Sequence, residues 1–415
     1  MVQDNTARES DGELLDVYKR HLNPNYADFA AQLGLATTIA RAEGALLWDR
    51  EGRSYIDFVA GYGVFNFGHN PPWLLDALHG ELDQHPLWNR PFLSAPLAEL
   101  AQALTRRVPR GLSRLFLCSS GAEAVESAIK LARLATRRQE IVSAEGSFHG
   151  FTLGALSVSG IPAQSRPFRP LLPQVRHVPY GDVEALSQAV TDQTAAVLLE
   201  PIQAEIGAAT PPSGYLAAAR EVCKSTGALL LVDEVRTGMG RTGPLFAVEA
   251  ERITPDVLIL GKSLAAGIVP IGAIVAQDDI WGRFGLSFSM TASSFAGNRL
   301  ACVSALATLA AIDREAVLET SQRTADRLQT ALARIAAQQP NAVKRLTGRG
   351  FLYGLHFADF RQAAQVVRQC IGQGLLIASA FCKKSCILLE PPLTIEPEQL
   401  TKGIQILERA CHSLA

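Results

Sequence analysis

Two apolar runs, LLLVD at 229–233 and VLILGK at 257–262, lie close together in the chain and each ends in a single charged residue. Four or five branched apolar residues are too few for a buried helix and suit a strand covered on both faces. Strands of that kind run parallel, so Asp233 and Lys262 are expected to emerge together at the carboxyl edge of one sheet. That edge is where open α/β sheets bind ligands. A lysine at the mouth of such a strand is partly desolvated, which lowers its pKa and frees the amine for carbonyl chemistry.

The surrounding pattern supports such a sheet. From about residue 95, short apolar runs (RLFLC, IVSAEG, TAAVLLE, ALLLVDE, DVLILG, IGAIVA) alternate with helical segments such as SSGAEAVESAIKLARLATRR and GYLAAAREVCKSTG. The alternation predicts an α/β fold with a mainly parallel central sheet and helices on both faces. Before it, ALLWDREGRSYIDF reads as two strands around a turn, followed by the glycine-rich GYGVFNFGH. After it come a long helical stretch, strands at GRGFLYGLHFAD and CILLEPPL, and a closing helix. With 415 residues the chain exceeds one ordinary core. The expected division is an N-terminal segment 1–65 contributing to a small domain, a large ligand-binding domain 66–310, and a C-terminal α+β part 311–415.

Charge and composition exclude several classes. The 39 basic and 40 acidic residues leave a net charge of −1, with no basic tract to suit nucleic acid. No run of about 20 apolar residues spans a membrane, and the amino terminus lacks the apolar core of a signal peptide. The chain therefore reads as soluble and cytoplasmic. Seven cysteines contain no CxxC pair. Cys382 and Cys386 lack companion ligands and read as reduced thiols, so no metal site is expected.

Several constellations fall at expected strand ends. In SSGAEAVESAIK, the hydroxyl of Ser120 and the backbone of Gly121 and Ala122 open a helix, an arrangement that suits a phosphate dianion. The plain alternative is an N-cap with Glu123 in the first turn. Phe148 and His149 in SFHG could stack on a flat ring, or simply pack. Glu200 and Gln203 in EPIQ either face the site or end a strand toward solvent. GMGRTG at 238–243 matches a dinucleotide pattern, but DEVRT separates it from the strand and proline follows. GKS at 261–263 lacks the earlier glycine of a P-loop. An acid and an amine displayed together match pyridoxal phosphate, whose ring nitrogen pairs with a carboxylate and whose aldehyde forms a Schiff base with lysine.

Taken together, YGVFNFGHN, SSGAEAVESAIK, SFHG, EPIQ, DEVRTGMGRTG, PDVLILGKSLAAG, SSFAGN and EPPL resemble the class III aminotransferases, pyridoxal-phosphate enzymes of fold type I that include ornithine, acetylornithine and putrescine aminotransferases. The resemblance implies that Lys262 binds the cofactor and moves the proton, and that Asp233 pairs with the ring nitrogen. It further implies that Ser120, Gly121 and Ala122 hold the phosphate, Phe148 stacks on the ring and Gln203 approaches the phenolic oxygen. His149, Glu200 and Val235 complete the expected cofactor contacts. Ser294 stands where the family has a threonine reaching the neighbouring subunit's cofactor, implying a homodimer with shared sites. Leu388 and Phe151 occupy positions where relatives carry carboxylate-binding arginines, which leaves Glu205 without its expected partner. A pocket lined by Tyr62, Phe65, Phe151 and Leu388 would then take a primary amine, with an aldehyde or ketone as acceptor, either free or tethered to a carrier. A ping-pong aminotransferase in specialised biosynthesis or amine metabolism is expected. The alternatives are a racemase, epimerase or aminomutase of the same fold and, from another class, a non-catalytic binding protein.

Overall fold

The computed structural model describes residues 10–83, 85–87, 92–286 and 293–414. Its strands, in chain order, are β1 (Ile39–Glu43), β2 (Leu46–Asp49), β3 (Ser54–Asp57), β4 (Leu112–Cys118), β5 (Glu140–Ala144), β6 (Val175–Val178), β7 (Thr194–Leu199), β8 (Leu229–Asp233), β9 (Val257–Gly261), β10 (Gly272–Gln277), β11 (Val343–Arg349), β12 (Leu352–Phe357), β13 (Leu375–Leu376), β14 (Ala378–Ser379) and β15 (Cys386–Leu389). The central sheet has seven strands in the order β4-β10-β9-β8-β7-β5-β6. Strands β6, β5, β7, β8 and β9 pair in parallel, whereas β10 is antiparallel to both β9 and β4. The expected mainly parallel α/β fold is therefore present, and the carboxyl ends of β4, β5, β7, β8 and β9 share one edge.

The continuous apolar runs follow from burial on both faces. Because strand side chains alternate, Val197, Leu199, Leu230, Val232, Leu258 and Leu260 enter one apolar cluster, and Leu198, Leu229, Leu231, Val257 and Ile259 enter the other. The helix Tyr215–Thr226 covers the first face with Tyr215, Leu216, Ala219 and Cys223. The helix Gly121–Thr136 covers the second with Ala124, Val125, Ala128, Ile129, Leu131 and Ala132. At about 25 cal/mol per Å² of apolar area, these two interfaces supply much of the driving force that fixes the edge.

The remaining strands form two smaller sheets, β11-β12-β15-β14 and β1-β2-β3-β13. In the second, β13 pairs in parallel with β3, so residues near both ends of the chain share a sheet. Five strands escaped the sequence pattern: β1, β6, β11 and the two-residue β13 and β14. The strand β6, VRHV, lies at the sheet edge with two exposed residues and shows no apolar run; β11, VKRLTGR, is likewise interrupted by two consecutive exposed residues, Lys344 and Arg345. Among the described residues, no helix is long and apolar enough to cross a membrane.

Candidate active site

The strand ends at the common edge enclose a cleft of about 150 Å³ lined by Gly121, Ala122, Phe148, His149, Gly150, Glu200, Glu205, Asp233, Val235, Arg236 and Lys262. Asp233 ends β8 and is 5% exposed. One of its oxygens lies 2.7 Å from His149 Nδ1, and the other accepts the Val235 backbone N–H at 3.0 Å. His149 is in turn fixed by its own N–H, which donates to Ser159 Oγ at 2.9 Å. A buried carboxylate oriented from two sides suits a cationic ring nitrogen.

Lys262 directly follows β9 and adopts a left-handed backbone with φ of 45°. A non-glycine residue there is strained, and such strain concentrates at functional sites. Burial, followed by the repulsion of the nearby Arg236 guanidinium, lowers its pKa to about 8. A useful fraction of neutral amine therefore exists near neutral pH.

The helix Gly121–Thr136 begins at the same cleft. Its N-cap, Ser120, accepts the Glu123 N–H at 3.2 Å through its side chain and the Ala124 N–H at 3.1 Å through its carbonyl. The capping reading of Ser120 is thus realised. The first N–H groups of the helix, at Gly121 and Ala122, have no partner within the helix, an end that suits an anion. Glycine at 121 is required by space, since a Cβ there would lie 2.9 Å from Val235 Cγ1. Anion-binding helix end, buried acid and desolvated lysine together fit the phosphate, ring nitrogen and aldehyde of pyridoxal phosphate.

Glu200 lines the cleft and accepts the Phe148 N–H at 2.9 Å. Its pKa is pushed well above the ordinary value, by burial first and then by the charge of Asp233. The Phe148 ring stands edge-on to that of Phe151 at 5.0 Å. Gln203 is fully buried and gives its amide N–H to the Glu145 carbonyl at 3.0 Å, while its Oε1 has no hydrogen-bond partner among the described residues; it is not among the residues lining the cleft. Phe151 is exposed, and Ser294 lies exposed on the segment after residue 292. Phe65 packs on His69 with ring centres 4.2 Å apart.

Two expectations require correction. Leu388, expected to line the pocket, is 2% exposed within an apolar cluster with Ile202, Ala204, Leu352 and Cys386. Its placement follows from strand alternation in β15, which turns Leu388 into that cluster and Leu389 into the main core. Glu205, expected to lack a partner, pairs with the guanidinium of Arg236. Arg236 also engages both oxygens of Glu390, through Nη2 and, at 3.3 Å, through Nε. The three residues are 7%, 9% and 1% exposed for Arg236, Glu205 and Glu390, and Tyr62 closes the cluster with its ring 5.4 Å from the guanidinium. Tyr62 is held in a left-handed turn, Ala60 to Gly63, whose start is tied by Asp57 accepting the Val59 and Ala60 N–H groups at 2.8 and 2.9 Å.

Arg236 and Glu390 were both present in the motifs DEVRTG and EPPL without standing out as a pair. The signal for Arg236 was its place three residues after the acid ending a strand. The GMGRTG segment has a structural duty: Arg241, fully buried, donates to Asn66 Oδ1 and to the carbonyls of Phe351 and Pro391.

Residues 29–411 match the profile of the family described as aminotransferase class III. Among solved structures, the chain resembles the ornithine aminotransferase of Toxoplasma gondii ME49 at 29% identity, with a TM-score of 0.91 and coverage of 99% of this chain and 97% of that one. It also resembles the acetylornithine aminotransferase of Elizabethkingia anophelis (28% identity, TM-score 0.84, 98% and 100% covered). A third similar structure is the adenosylmethionine-8-amino-7-oxononanoate aminotransferase of Methanocaldococcus jannaschii DSM 2661 (26% identity, TM-score 0.90, 97% and 99% covered).

Proposed function

The chain belongs to the class III aminotransferases, which depend on pyridoxal phosphate, and from that premise we propose that it moves an amino group from a primary, terminal amine to an aldehyde or ketone acceptor by a ping-pong mechanism. The observation that carries the substrate reading is the state of Arg236. It is the one guanidinium among the described residues lining the cleft, and two carboxylates hold it. A substrate α-carboxylate would have to compete with both for its donors. A donor whose reacting carbon bears no carboxylate meets no such competition.

Pyridoxal phosphate, when bound, supplies an aldehyde that takes up the donor's amino group and a ring that withdraws electrons from the donor carbon. The protein supplies the rest. Asp233, fixed by His149 and the Val235 N–H, would present its carboxyl group to the ring nitrogen. Lys262 Nζ, with its lowered pKa, takes the proton from the donor carbon and returns it on the other side of the transfer. Gly121 and Ala122 would hold the phosphate through their backbone N–H groups, and the Phe148 side chain would help exclude water from the cleft wall. Ser120, outside the cleft lining, acts by fixing that helix end.

We also propose a homodimer in which Ser294 reaches the partner subunit's cofactor. The exposure of Ser294 and of the nearby apolar Phe295, 57% exposed, supports this reading, as does that of Leu93, which is 98% exposed. Specialised biosynthesis, with a free or carrier-tethered amine, remains the proposed setting. The test is a panel of amines added one at a time to the cofactor-loaded enzyme without acceptor. Terminal amines should discharge the visible absorbance of the bound cofactor faster than α-amino acids; preferred use of ornithine with 2-oxoglutarate would overturn the substrate reading.

A further inference from the structure

The Arg236 cluster is not balanced. One guanidinium faces two carboxylates, and their bonding differs. Both oxygens of Glu390 are taken by Arg236. Glu205 gives Arg236 only Oε1, and its Oε2, shielded from solvent, has no hydrogen-bond partner among the described residues. Glu205 as a whole is 9% exposed and lines the same cleft as Lys262. A buried carboxylate oxygen left unsatisfied is costly and calls for a donor.

Three kinds of donor could meet it. Further protein donors are not in place, since the nearest main-chain link of Glu205, from the Cys382 N–H at 3.1 Å, goes to its carbonyl and not to its side chain. A neutral hydroxyl would satisfy the lone pair without adding a positive charge to a carboxylate that shares its guanidinium with Glu390. An ammonium does both. The terminal torsion of a glutamate is broad and two-fold, so the carboxylate can present Oε2 to a ligand while Oε1 keeps Arg236. Tyr62 and Glu390 hold the guanidinium from its other sides, so Arg236 stays in place as Glu205 turns.

We infer that Glu205 is a binding site for the second, non-reacting ammonium of a doubly cationic substrate, a diamine or an amine with a distal cationic group. This inference rests on the terminal-amine reading above and adds to it the chemistry of the far end. The reacting amine approaches Lys262 and the distal ammonium pairs with Glu205 Oε2. An anionic far end, as in an ω-amino acid, is disfavoured by the same carboxylate.

The test uses the cofactor-loaded enzyme and unbranched diamines of roughly four to eight carbons, each against the monoamine of equal length and against the mono-N-acetylated diamine. The half-saturating concentration for discharge of the cofactor absorbance is read for each. At the best length the diamine should saturate about tenfold lower, or better, than both controls, as expected for a charge-assisted hydrogen bond. Glu205→Gln should bring that ratio close to one. Glu205→Asp, which keeps the charge on a shorter arm, should move the preferred diamine to a longer chain, an effect that general loss of structure would not produce. Equal saturation by diamine and monoamine in the unaltered enzyme overturns the inference, as does a ratio that survives Glu205→Gln or a length optimum unmoved in Glu205→Asp. If monoamines react and diamines gain nothing, only the Glu205 site falls. If no amine reacts at all, the terminal-amine reading falls with it.

Discussion

Replacing Arg236 with leucine removes a guanidinium from between two buried carboxylates and separates the structural duty of the cluster from its effect on Lys262. With Glu390 at 1% and Glu205 at 9% exposure, the variant leaves both acids without their counter-charge in a poorly solvated place. Loss of one partner from a buried ion pair costs about 3–5 kcal/mol, against about 0–1 kcal/mol for a surface pair. The loss should be smaller at acidic pH, where the stranded carboxylates can take up protons. Urea unfolding with an unchanged slope reads this directly. The same change acts on Lys262, whose pKa near 8 reflects burial and then Arg236, opposed by Glu390, Glu205 and Asp233. Without Arg236 the remaining acids favour the charged amine, so the pKa rises. The neutral amine, present above the pKa, then becomes scarcer at neutral pH by about tenfold for each unit. The pH dependence of covalent cofactor attachment to the cofactor-free chain should move its midpoint upward from about 8. A stability loss below about 1 kcal/mol, or a midpoint unmoved or lowered, would refute the reasoning.

Other perturbations separate site from scaffold. Asp233→Asn should retain cofactor through the helix end and Lys262 while slowing amino transfer by at least about 100-fold, measured as the rate of the amine half-reaction. Gly121→Val would place its side chain against Val235, already 2.9 Å from a Cβ; overpacking of this kind costs about 1–3 kcal/mol, and cofactor affinity followed by equilibrium dialysis should fall. Arg241→Met should cost about 3 kcal/mol or more in urea unfolding, because Asn66 Oδ1 and two carbonyls lose their donor. His356 is pushed down to about 4, chiefly by burial. The unfolded chain takes up that proton from about pH 6.5 downward, so the contribution is full above 6.5 and is lost as the pH falls toward 4. His356→Gln should lessen the acid sensitivity of stability in that window, as read by unfolding midpoints across pH.

What the sequence revealed follows from how each residue is used. Strands β8 and β9 were legible because both of their faces meet apolar clusters, which leaves an unbroken apolar run ending at Asp233 and before Lys262. The helix start at Ser120 and Gly121 was legible because capping chemistry is local. The pairing of Arg236 with Glu390 was not, since 154 residues separate them and only the fold makes them neighbours. Nor does local propensity predict the left-handed turn at Ala60 and Tyr62, both with positive φ; it is sustained by Asp57 and by packing over the Arg236 cluster. Leu388 looked like a pocket residue by position in a motif, but the alternation of β15 turns it into a core cluster.

The most direct test of the central claim is a single-turnover measurement with cofactor-loaded enzyme and a terminal amine in the absence of acceptor. The account predicts that one equivalent of amine per site is converted to its aldehyde or ketone, with loss of the visible cofactor absorbance and no release of ammonia. Addition of a carbonyl acceptor should then restore the absorbance. An amine that is inverted or isomerised while the absorbance persists, or one that is not consumed at all, would contradict it.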